Sequence, residues 1–172
     1  MNYHLSTNSI LTTIHAMAAL QAIAADDDGR AVLAPVLNRS CPDMLAVMIR
    51  NAFADIAMGL GPLVLDIQLD DETASGPGAE GEDTGTATAD MMLSVELLTP
   101  RTFTTSRHGI VRRALEQAVA LTALQMWCMA SEHGEGSSAE MAGRFGSVAD
   151  EWLATLRSAL EPTIYPTVRA GW

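Results

Sequence analysis

Apolar residues recur every three or four positions in four stretches of this chain and alternate with polar ones in two shorter stretches. The anchor is Ile110 to Ala130, IVRRALEQAVALTALQMWCMA, which contains neither Gly nor Pro. Most of its residues lose little on entering a helix. Arg112, Arg113, Glu116 and Gln117 sit among Val111, Leu115 and Ala118, so its first third is two-faced. From Ala118 onward it is apolar nearly all round, broken mainly by Thr122 and Gln125. Such a helix must be covered on most sides, and the rest of the chain is expected to pack around it. At about 1.5 Å per residue it is roughly 30 Å long. Its charged and amide residues leave too short an apolar run for a membrane span.

Residues 1–8 read as a polar lead-in. Thr7 or Asn8 can cap a helix from Ser9 to about Ala25, with Ile10, Leu11, Ile14, Met17, Ala18 and Ala22 as its apolar positions. Asp26, Asp27, Asp28 and Gly29 end it, since three acids oppose the dipole at a helix C-terminus. Residues 31–37, interrupted by Pro35, read as an extended segment that can serve as an edge strand. Ser40, Pro42 and Asp43 start a second helix, running to about Leu60, with a stripe of Leu45, Ile49, Ala52, Phe53 and Ile56. Gly59, Gly61 and Pro62 stop it. Residues 63–70 and 91–98 alternate as half-buried strands, expected to pair antiparallel. A fourth helix, opened by Ser137 and Glu140, runs to Pro162 with Met141, Phe145, Val148, Trp152, Leu156 and Ala159 along one face.

Two segments stand apart. Residues 71–90, between the strands, are rich in Gly, Ala, Thr and acid, with no basic or aromatic residue. They read either as a solvated hairpin tip or as an acidic finger that meets a partner or lines a passage. The tail, residues 163–172, is extended and carries Ile164, Tyr165, Val168 and Trp172. It docks either on its own body or on a neighbouring subunit. The expected architecture is mainly α: one domain over residues 1–162, a bundle of about four helices with a small antiparallel β-hairpin carrying a long acidic loop, and a C-terminal arm.

Composition narrows the chemistry. The net charge is −11, and all ten basic residues are Arg. Tight nucleic-acid binding needs phosphate neutralisation, which such a chain supplies poorly. An acidic surface can still let DNA slide past. Cys41 and Cys128 lie far apart in apolar contexts and read as two buried thiols, with a disulfide as the alternative. No basic n-region followed by a clean apolar run opens the chain, so no signal peptide and a cytoplasmic, reducing setting are expected.

No motif names a reaction. His4, His15, His108 and His133 have no metal-ligand spacing, and the run 26–28 lacks the spacing of a calcium loop. Arg107, His108 and Arg112 gather at the start of the long helix, where they can bind an anion or pair with acids of neighbouring segments. Asp66, Asp70 and Asp71 are a conceivable carboxylate group, and Trp127, Met129 and Trp152 read as core. Glu116 can pair with Arg113 or Arg112 along the helix. No catalytic residue, cofactor or metal is expected.

The order of the elements, with body 42–60, strands 63–70 and 91–98, helices 105–132 and 138–160, and a run ALEQAVALTAL followed by an aromatic, resembles one family. It is similar to the small helical head–tail connector (neck or adaptor) proteins of tailed bacteriophages and prophages. The resemblance is one of layout over most of the chain and carries over no individual site residue. It implies a non-enzymatic virion subunit, assembled in the host cytoplasm into a homomeric ring. DNA would pass through that ring without specific binding, with portal and tail components as neighbours and no membrane partner. A head-to-tail contact closes a ring when the rotation permits. The expected interface residues are Asp71, Glu72, Glu80, Glu82 and Asp83 in the acidic loop, Ile164, Tyr165, Val168 and Trp172 in the tail, and Arg112 and Arg113 on the long helix. A tail-completion or assembly factor is the alternative within that class. A helical small-molecule-binding protein or enzyme, and a regulatory protein binding through its acidic loop, are the alternatives outside it.

Overall fold

The computed structural model describes residues 1–24, 42–70, 91–100, 103–130 and 137–161. Its elements are β1 (Asn2–Ser6), α1 (Thr7–Ala24), α2 (Pro42–Leu60), a 3-10 turn (Gly61–Leu63), β2 (Val64–Asp70), β3 (Met92–Leu97), α3 (Thr105–Ala130) and α4 (Ser137–Leu160). The acidic segment 71–90, the tail 163–172, the run 26–28, the extended segment 31–37, Cys41 and His133 lie outside the described residues.

The expected centre is the observed one. α3 packs along α4 over most of its length and against α2 and α1 on other sides. Val111, Ala114, Leu115, residues 118–121, Ala123, Leu124, Trp127 and Cys128 are all buried. Four of these eleven are alanine, which lets neighbouring backbones come close. A Cβ added at Gly146 of α4 would lie 2.7 Å from Gln125 Nε2 of α3.

The other helices bury one stripe each. Ile10, Ile14 and Ala18 of α1, and Leu45, Ile49, Ala52, Phe53 and Ile56 of α2, enter the same core as expected. On α4 the buried line runs through Ala142, Phe145, Ala149, Leu156 and Leu160. Val148, expected on that line, is exposed. Ala149, one residue on, is buried instead.

The sheet corrects the hairpin expectation. Residues 2–6 are a strand, not a lead-in, and the order is β1-β3-β2 with every pairing antiparallel. Tyr3 and Leu5 alternate inward and pair with Val95 and Leu93. The helix start moves accordingly: the Ser9 amide donates to Ser6 Oγ at 3.3 Å, so Ser6 serves as a cap, where Thr7 or Asn8 was expected. Thr7 is buried and ties the corner to β3: its amide donates to the Met91 carbonyl, and its Oγ1 accepts from the Met91 amide, each at 3.0 Å. On the opposite face, His4 Nδ1 and Ser94 Oγ bond across the strands at 2.8 Å, which satisfies the buried Ser94.

α2 ends on Gly61, whose φ of +56° is left-handed. A Cβ there meets nothing, so only the dihedral demands glycine. Arg157 Nη2 of α4 donates to the Gly59 carbonyl at 2.5 Å, placing a cation at the negative end of the α2 dipole.

Leu124→Ala should cost roughly 2–5 kcal/mol, because Leu124 is fully buried in the apolar second half of α3. Gly61→Ala should cost roughly 1–2 kcal/mol through its dihedral alone. Urea denaturation of each variant against the parent measures both.

Candidate functional site

The start of α3 carries Arg107, His108, Arg112 and Arg113 close together in sequence. Its residues diverge, and the basic trio expected there does not converge on one anion. His108 turns toward the sheet: Tyr3 Oη and His108 Nδ1 share a hydrogen bond at 3.1 Å, and the Phe103 ring meets the imidazole edge-on at 4.7 Å. Burial raises the Tyr3 pKa. The hydrogen bond ties β1 to α3 by a polar contact.

Arg107 turns the other way. It lines an open cleft of about 480 Å³ with Ile110 of α3 and Ala154, Thr155, Ser158 and Ala159 of α4. Its volume lies within the range of small-ligand sites, but one cation and two hydroxyl groups make a sparse set of polar anchors.

Arg112 and Arg113 are exposed on the first third of α3. The expected pairing with Glu116 does not form among the described residues, and the Glu116 carboxylate accepts the Ser9 hydroxyl of α1. Among the described residues, neither arginine has an ion-pair partner. Of the expected interface residues, these two alone fall within the described chain. They are neighbours on one surface, with no described contact to account for them.

Among the described residues, the remaining candidates form no cluster. Asp66 is exposed and accepts from Gln68 Nε2 at 3.1 Å, two residues along the same strand. His15 is on the helix surface. No group of three His, Cys, Asp or Glu among the described residues is placed to hold a metal. Trp127 is core and Trp152 packs against it as expected, but Met129, expected with them, is exposed. The stretch Met44–Leu63 is long and apolar enough to cross a membrane by length and composition. It also contains Arg50 and Asp55, and Leu45, Ile49, Phe53 and Ile56 pack one face of it into the core.

Sequence reasoning missed one surface. Leu65, Ile67 and Leu69 of β2 are exposed, as are Met92 and Leu98 beside them. Ile67 and Leu69 pair with the buried Val95 and Leu93 and so share the core-facing side of the sheet. The signal was present in LVLDIQLD, but alternation does not say how far the helical layer extends.

Cys128 is a buried thiol whose pKa is pushed up to about 11 by burial. Comparison with protein-family models, with curated proteins and with solved structures gives no match to this chain.

Two measurements follow from this geometry. Iodoacetamide at pH 8 should label Cys128 slowly in the native protein and rapidly in urea, read by peptide mass spectrometry. Between its ordinary pKa of 9.0 and about 11, the thiol is ionised when unfolded and protonated when folded. The unfolded chain then binds fewer protons, so stability falls as pH rises through that window. The Cys128→Ala variant should lose less stability over the same range.

Proposed function

We propose that this chain is a non-enzymatic structural subunit of a tailed-phage or prophage particle, forming a ring at the head–tail junction through which DNA passes. One observation carries the reading: an antiparallel strand pair on a helical body, Val64–Asp70 with Met92–Leu97, joined by the acidic segment 71–90. The charge balance suits the role, since an acidic lining does not retain a polyanion in transit. Exposed Arg112 and Arg113 supply a surface of opposite sign that a neighbour's Asp71, Glu72, Glu80, Glu82 and Asp83 can meet. The tail residues Ile164, Tyr165, Val168 and Trp172 are the second contact to the neighbouring subunit in this reading.

The open cleft between α3 and α4 favours the rival reading, a helical protein that binds a small anionic molecule beside Arg107. A tail-completion factor remains the alternative within the structural class.

Light scattering followed by negative-stain imaging separates them. The ring reading expects a ring-like mass that falls on deletion of residues 163–172. It also expects the paired change Arg112→Ala and Arg113→Ala to reduce the mass while altering folding stability by no more than about 0.5 kcal/mol. A monomer at every concentration, together with a rise in melting temperature on adding small anions that Arg107→Ala abolishes, would replace it with the ligand reading.

A further inference from the structure

β2 lies at one end of the sheet, and among the described residues its outer edge pairs with no strand. Exposed edges are normally guarded by Lys, by Pro, by brevity or by bulges. β2 is seven residues long and contains neither Lys nor Pro. Its one irregularity falls between Val64 and Asp66, leaving Asp66 to Asp70 in regular register with β3. Leu65 is 56% exposed, and Ile67 and Leu69 are each 37% exposed. Asp66 and Asp70 are the strand's two acidic positions, and whether they oppose one another in a strand pair depends on register.

We infer that β2 pairs antiparallel with β2 of a second copy of this chain, about a two-fold axis at Ile67. In that register the strand is complementary to itself. Centring on Ile67 sets Ile67 against itself, Leu65 against Leu69, and Asp66 against Gln68. Centring on Gln68 sets Asp66 against Asp70, and centring on Asp66 sets that carboxylate against its own copy. Like charges directly opposite each other destabilise a strand pair. The Ile67 register is the one of the three in which neither acid faces another. The Gln68 amide already donates to a carboxylate, Asp66 of its own strand, and in the pair the second copy's Asp66 lies directly across from it.

The two-fold axis runs normal to the sheet, so both helical layers stay on one side of six continuous strands. The row Tyr3, Val95, Ile67 then continues into Ile67, Val95, Tyr3 of the second copy, and the exposed ends of both inner faces cover each other. Stable interfaces bury roughly 1,200–2,000 Å². One strand edge buries less, so the pair is concentration-dependent. The contact is isologous and closes at two. It neither requires the ring nor builds one, and it stands whether or not the proposed function does.

Cysteine cross-linking tests the register directly. Residues directly opposite in an antiparallel pair have Cα atoms about 4.5–5.5 Å apart, within disulfide reach. Under mild oxidation, Ile67→Cys should give a covalent pair on a non-reducing gel well above the parent's own background. Leu69→Cys, whose copies sit well apart in this register, should not. By light scattering, Ile67→Lys should halve the mass of whatever the parent forms, with circular dichroism unchanged. Gln68→Arg, which faces the second copy's Asp66, should tighten the association at least threefold at low salt. A parent of single-chain mass up to about 100 μM, or Ile67→Cys cross-linking no better than Leu69→Cys, would overturn the inference. Deleting residues 163–172 separates the two ideas, because it removes the ring contact and leaves the strand pair intact.

Discussion

The burial of α3 on nearly every side is the constraint that the rest of the structure obeys. A helix with apolar residues on most faces gains stability only when several elements cover it at once. Here α4, α2 and α1 do so. The small residues Ala114, Ala118, Ala120 and Ala123 let those elements approach closely, and Gly146 of α4 receives the Gln125 side chain. The polar first third of α3 is left for other work: His108 holds the sheet, Glu116 holds α1, Arg107 faces α4, and Arg112 and Arg113 face solvent.

The sheet is secondary to that core and leans on it. A lone two-stranded hairpin is marginal in water, and a third strand with one apolar face makes the unit viable. β1 supplies it, fastened by Thr7 to Met91 and by Tyr3 to His108. The helical layer covers β1 and β3 well and β2 poorly, which is why Ile67 and Leu69 remain partly open while their partners Val95 and Leu93 are closed. The proposed ring and the inferred strand pair both draw on surface that the isolated fold leaves uncovered.

Much of this was legible in the residues. The bounds of α2 follow from Pro42 and from the Gly59, Gly61, Pro62 stop, and its buried stripe from three- and four-residue spacing. The alternation in residues 63–70 and 91–98 identified β2 and β3 and their antiparallel pairing. β1 was not legible, because Asn2–Ser6 has only two inward apolar residues and its partner lies about ninety residues away. Local periodicity carries no information about so distant a pairing. The face of α4 was misplaced by one position at Val148, because three- and four-residue spacing does not decide between adjacent apolar residues such as Val148 and Ala149. At the candidate site, the exposure of Arg112 and Arg113 fits the two-faced start of α3, whereas the diversion of Glu116 to Ser9 depends on how α1 crosses it.

The most direct test of the central claim is amide hydrogen exchange resolved by residue. If burial of α3 organises the fold, amides from Leu115 to Leu124 should exchange slowest, near the global unfolding limit. Those of β3 should follow, and the free edge of β2 should exchange faster. Exchange in the middle of α3 as fast as at the ends of α1 or α4 would contradict the account, since the fold could then open at its centre without coming apart.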